Sequence, residues 1–122
     1  MFSTVLVPLD GSPEAATALS AARALASAFS AQMSLMRVVR RPAGQFGVHA
    51  DEIREAASYL DGVAREMASS NLRVSTHVRS GDVPGAILHE IAERGVDLVV
   101  SATRGHGNVL RGLVGSVATE VL

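Results

Sequence analysis

No acidic residue lies between Asp97 and Glu120, a segment in which Gly105, Gly107, Gly112 and Gly115 alternate with Arg104, His106, Asn108 and Arg111. Glycines let the backbone approach an anion closely, and basic neighbours draw it in. Ser116 follows Gly115, where a helix can begin, and a helix N-terminus offers unpaired N–H groups with the positive end of the dipole. Together these residues can hold the phosphates of a nucleotide. A surface loop whose glycines serve turns alone is the competing reading. Ser116 could give its hydroxyl to a phosphate or cap the helix, and Arg111 could pair with a phosphate or stay solvated.

A second candidate lies at the other end of the chain. Asp10 ends an apolar run and could accept hydrogen bonds from a ribose or an adenine amino group; equally, it could serve the turn before a helix. His106 is the best-placed group for proton transfer or phosphate contact, yet it has no visible orienting partner. His49 and Asp51 supply only two possible metal ligands, too few for a site. His77 and His89 read as structural or solvated, on a strand and a helix. No catalytic set emerges. An efficient ATPase needs a water-orienting group and a metal-holding carboxylate, and beyond Asp10 neither is visible.

These residues need a scaffold, and the pattern supplies one. Thr4 to Leu9 reads as a buried strand, and Asp10-Gly11-Ser12-Pro13 breaks it, with Ser12 as N-cap and Pro13 as the first helical residue. Helix one is expected to run to about Ser30, with Ala15, Leu19, Ala22, Ala26 and Phe29 on one face. Gln32 to Val39 is a second strand and Arg40 to Val48 a loop. Helix two, about Ala50 to Ser70, repeats Ile53, Ala56, Ala57, Leu60, Val63, Ala64 and Met67. Leu72 to Val78 is a third strand, and a third helix turns Ile87, Leu88 and Ile91 inward. Asp97 to Ser101 is a fourth strand, followed by the glycine loop and a last helix. This order predicts an α/β fold, a doubly wound parallel sheet in one domain spanning 1–122. In such sheets ligands bind beyond the carboxyl ends of the strands. Asp10, Val38-Val39 and the glycine loop should share that edge.

Composition narrows the field. The 122 residues carry a net charge of −1, which argues against a nucleic-acid binder driven by bulk charge. All 11 basic residues are arginine, so a lysine-bearing P-loop is excluded. With no cysteine, disulfides and thiolate metal sites are absent. No apolar run approaches a membrane span, and the N-terminus lacks a basic leader, so a cytoplasmic protein without a membrane partner is expected.

Val5-Leu6-Val7-Pro8-Leu9-Asp10-Gly11-Ser12 resembles the opening of the universal stress protein family. Gly81-Asp82 and Asp97-Leu98-Val99-Val100 fit the same pattern. The closing segment resembles the family's ATP-binding signature: Gly105 and Gly115 have its spacing and Ser116 follows, while Ala102 replaces its first glycine. The resemblance implies a Rossmann-like or flavodoxin-like fold, with the family's last strand expected to be absent from this chain. It implies a cytoplasmic homodimer that binds ATP, with Mg²⁺ or Mn²⁺ carried by the nucleotide. The expected nucleotide contacts are Asp10, Val38, Ala102, Gly105, His106, Gly107, Gly115, Ser116 and Val117. The implied function is an ATP-binding regulatory module of the stress response; a slow ATP hydrolase and a nucleotide-free dimeric scaffold are the alternatives.

Overall fold

A computed structural model describes residues 3–11, 17–39, 50–69, 71–103 and 107–113. Strand β1 (Thr4–Pro8) leads to helix α1 (Ala18–Ala28), β2 (Gln32–Val39), α2 (Ala50–Met67), β3 (Val74–Ser80), α3 (Val83–Arg94), β4 (Leu98–Thr103) and β5 (Gly107–Leu113). The strands form one sheet in the order β3-β2-β1-β4-β5. The ladders β1–β2, β2–β3 and β1–β4 are parallel, as the alternation of strands and helices predicts. Ser12 and Pro13, expected to open the first helix, lie outside the described residues.

The end of the sheet corrects the sequence reading. The glycine-rich stretch is expected to be a loop, with no further strand; the helix expected after it lies outside the described residues. Residues 107–113 instead pair antiparallel with β4, from Thr103↔Gly107 to Leu98↔Leu113, with an irregularity at Leu98/Val99. The outer flank of β4 needs a partner for its backbone groups, and the nearest chain able to provide one follows directly. Val109, Leu110 and Leu113 suit a strand well enough to override the turn preference of the intervening glycines.

Strand alternation divides the core between two faces. Val5, Val7, Leu9, Leu35, Leu60 and Val100 pack with Leu19, Ala22 and Ala26 on the α1–α2 face. Leu6, Met36 and Val99 pack with Ala86, Ile87 and Val96 on the α3 face. Two residues expected inside are exposed: Phe29 at 42% and Leu88 at 45%. Phe29 is the C-cap of α1, where the helical periodicity that would carry it inward has ended. Leu88 follows the fully buried Ile87, and successive helical positions diverge by about 100°, so the pair cannot both face the sheet.

Helix α3 is fixed at both ends and by its middle. Asp82 accepts a hydrogen bond from Gly85 N at 2.7 Å as its N-cap, and Gly95 closes it in the left-handed conformation at φ 64°. Arg79 on β3 donates from Nε to Glu90 Oε1 at 2.6 Å and from Nη2 to Glu93 Oε2 at 2.8 Å. Glu90 is fully buried, so this pair is what makes a charge tolerable beneath the helix.

Candidate ligand site at the carboxyl edge

The sheet forks at its carboxyl edge. Strands β1 and β2 remain paired through Pro8↔Met36, and Leu9 N donates to Met36 O at 2.7 Å. On the other flank, the β1–β4 register covers only Val5↔Leu98 and Leu6↔Val99. Beyond that point β4 runs on to Thr103 with β5 as its partner. Proline at position 8 contributes to the parting, because it has no N–H to give to a ladder. Connections run in opposite directions from β1 and β4 in the sheet order, so the fork is the topological switch point.

Asp10 and Gly11 lie immediately beyond β1 at this fork, and Asp10 is exposed. Gly11 turns the chain with φ 86°, a conformation that favours glycine. A Cβ added there would lie 2.6 Å from Arg37 Nη1, so the guanidinium rests against the bare backbone of the turn. Arg37 in turn stacks over the Tyr59 ring of α2, 5.1 Å from its centroid. Burial raises the pKa of the Tyr59 hydroxyl above its ordinary value; Arg37 opposes the rise and Asp10 adds to it. A carboxylate, a guanidinium and a phenol thus share one corner of the carboxyl edge. Such a corner can accept from hydroxyls through Asp10 and oppose negative charge through Arg37.

The structure brings several of the sequence-identified residues to this edge. Val38, half-buried, lies one residue before the end of β2, and Gly81 N bonds to Val39 O at 3.1 Å, tying the ends of β2 and β3. Ala102 belongs to β4 rather than to a loop, and Gly107 is the first residue of β5. The register pairs Ala102 with Asn108 and Thr103 with Gly107, so both candidates lie where the two strands join. Gly105, His106, Gly115, Ser116 and Val117 lie outside the described residues. Sequence reasoning missed Arg37 and Tyr59. A signal existed in a lone cation within the otherwise uncharged strand Gln32–Val39.

Among the described residues, no group of three or more histidine, cysteine, aspartate or glutamate side chains could hold a metal ion. A divalent ion carried on nucleotide phosphates asks for no such cage, since Mg²⁺ keeps most of its own water and phosphate ligands. No helix among the described residues is long and apolar enough to cross a membrane.

The fold defines a doubly wound α/β protein whose topological switch point lies at the carboxyl edge of a central strand. The sequence profile of the universal stress protein family matches residues 1–122, and the chain belongs to that family. It is 30% identical to universal stress protein YxiE of Bacillus subtilis (strain 168), over 99% of this chain and 92% of the relative. A solved universal stress family protein from Burkholderia pseudomallei superposes with a TM-score of 0.71 at 29% identity, covering 84% of this chain and 82% of the other. A universal stress protein solved in complex with cAMP shares the fold, with a TM-score of 0.59 at 19% identity over 82% and 75% of the two chains.

Proposed function

We propose that this chain binds a purine nucleotide, ATP foremost, in the fork between β1 and β4, and acts as a regulatory module whose occupancy partners read. The observation that carries this reading is the early parting of β1 from β4 with Asp10 and Gly11 directly beyond it. A structural relative that holds cAMP supports a nucleotide as the ligand class. In this reading Asp10 accepts from ribose hydroxyls and the end of β2 at Val38 borders the base. Ala102, Gly105, His106, Gly107, Gly115, Ser116 and Val117 surround the phosphates, and Mg²⁺ or Mn²⁺ enters with the nucleotide. Arg37 offsets the negative charge that Asp10 would otherwise present to a triphosphate. The protein acts as a cytoplasmic homodimer, and no residue of the site is assigned to efficient turnover.

Binding to the folded form alone raises stability by mass action, which gives a direct readout. Freshly purified protein should release ATP when denatured and chromatographed, and stripped protein should bind ATP with Mg²⁺ in calorimetry. Asp10→Ala should weaken binding by about tenfold to a hundredfold, the cost of hydrogen bonds to a charged acceptor. Gly115→Arg and Gly105→Val should abolish it while leaving the fold, because their bulk enters the phosphate space. Unchanged ATP affinity in both glycine variants would overturn the site.

A further inference from the structure

The amino edge of the sheet holds a second cavity, remote from Asp10 and under the C-terminal end of α3. It has a volume of about 530 Å³ and is lined by Thr4, Gln32, Ser34, Ser75, Glu93 and Arg94. That volume falls within the roughly 300–1,000 Å³ range of small-molecule sites. Among the described residues, its walls contain no apolar side chain, unlike most such sites.

Ser34 is the decisive residue. It is 1% exposed, sits third in β2 opposite Ser75, and its Oγ has no hydrogen-bond partner. A buried hydroxyl left without a partner is costly, and a native structure usually satisfies it with water or a ligand. Ser34 is one of the residues that line the cavity, so the orphaned hydroxyl belongs to its wall.

Charge selects the guest. Glu93 already accepts from Arg79 at 2.8 Å and lies 2.8 Å from His89 Nε2, and Arg94 Nε lies 3.6 Å from Glu90 Oε2. The formal charges at the mouth are therefore engaged with one another. The C-terminal end of α3 adds a partial negative charge, which disfavours an anion, while Arg94 disfavours a cation. The remaining groups are the hydroxyls of Thr4, Ser34 and Ser75 and the amide of Gln32, whose Nε2 donates to Thr4 Oγ1 at 3.1 Å. Each can both donate and accept.

From this matched lining we infer that the cavity is a binding site for an uncharged polyhydroxylated molecule of cyclitol or sugar size. The ligand's hydroxyls, which also donate and accept, replace water on Ser34, Ser75 and Gln32. The site is independent of the nucleotide reading and lies on the opposite edge of the sheet.

The test is an amide chemical-shift titration of ¹⁵N-labelled protein with myo-inositol and, separately, trehalose, with inorganic phosphate as the charged comparator. Saturable shifts centred on Gln32, Ser34, Ser75 and Arg94 are expected with at least one polyol, with none at Asp10 and Gly11. Ser34→Ala removes the orphaned hydroxyl without adding bulk and should weaken binding by about tenfold. Ser75→Ala provides a second, less buried variant with the same expected direction. The proposal is overturned if neither polyol gives saturable shifts, if both variants bind as the parent does, or if phosphate alone saturates these residues.

Discussion

The two faces of the sheet are built on different terms. Toward α1 and α2, the buried residues Val5, Val7, Leu9, Leu35, Leu60 and Val100 form an apolar cluster with Leu19, Ala22 and Ala26. Toward α3, a smaller apolar group centred on Leu6, Met36, Ile87 and Val99 shares the space with Ser34 and Glu90, both buried. Ser34 Oγ, His77 Nε2 and Glu90 Oε2, all on the α3 face, lack hydrogen-bond partners. The first face draws its stability from apolar area and tight packing. The second depends on whether its polar groups are satisfied, so removal of a single partner there can matter as much as a cavity in the first.

The contrast predicts how each face breaks. Leu35→Ala should be the most damaging, at about 4 kcal/mol in denaturant unfolding, because a fully buried side chain in a central strand leaves a cavity. Arg79→Met should cost about 3 kcal/mol by removing the hydrogen-bonded partner of the buried Glu90 and leaving it only Arg94 at 3.6 Å. The sharper test is the double variant Arg79→Met with Glu90→Leu. It should recover most of that loss, whereas no second substitution to a polar residue should rescue Leu35→Ala. A double variant as unstable as Arg79→Met alone would show that the α3 face relies on packing in the same way as the other.

The effects expected from titration are smaller. Asp97 accepts from Ser3 N at 2.7 Å, Ser3 Oγ at 2.8 Å and Thr4 N at 2.9 Å. These bonds, the Ser3 backbone N–H foremost, hold its carboxyl below the usual range. A depressed folded pKa stabilises the fold above the unfolded value of about 3.9, and this contribution is lost as pH falls through the folded value. Asp97→Asn should therefore cost about 1 kcal/mol at neutral pH and little in acid, as read by urea unfolding at several pH values. His77 shows the slightest effect. Burial lowers its pKa; Glu90 on α3 opposes this, while Arg94 on α3 and Arg79 on its own strand reinforce it. Its partner in β2 is the uncharged Met36. Below about pH 6.5 the unfolded chain then binds the proton more readily, so this contribution is complete above that pH and declines as pH falls. His77→Gln should flatten that part of the stability profile by a few tenths of a kcal/mol; an unchanged slope would remove His77 from the account.

Much of this organisation was legible in the sequence, and the exceptions have physical causes. The strand patterns at 4–9, 32–39 and 97–101 and the period of Ile53, Ala56, Leu60 and Val63 announced strands and helices, because burial imposes those periods directly. Leu88 misled because hydrophobicity alone does not say which of two adjacent residues a helix turns inward. The fifth strand was hidden by its glycines, since local turn preference is weak against the demand of an unpaired β4 flank. At the carboxyl edge, Asp10 and Val38 could be placed from strand ends. The contact of Arg37 with Gly11 and Tyr59 joins three separate elements, and no local pattern encodes it.

The bond between Ser3 and Asp97 spans 94 positions, and this has a consequence for how the protein is made. Strand β1 leaves the ribosome first and finds β2 within a few dozen residues, but its other flank has no neighbour until Leu98 and Val99 have been added. At about 5–20 residues per second, that flank stays open for roughly 5 to 20 seconds of synthesis. During that interval the most apolar strand of the sheet presents a bare edge to every other nascent chain nearby. Chaperone dependence of this protein should therefore concentrate in the time before β4 emerges, and variants that slow translation ahead of Asp97 should aggregate without any change in the finished fold.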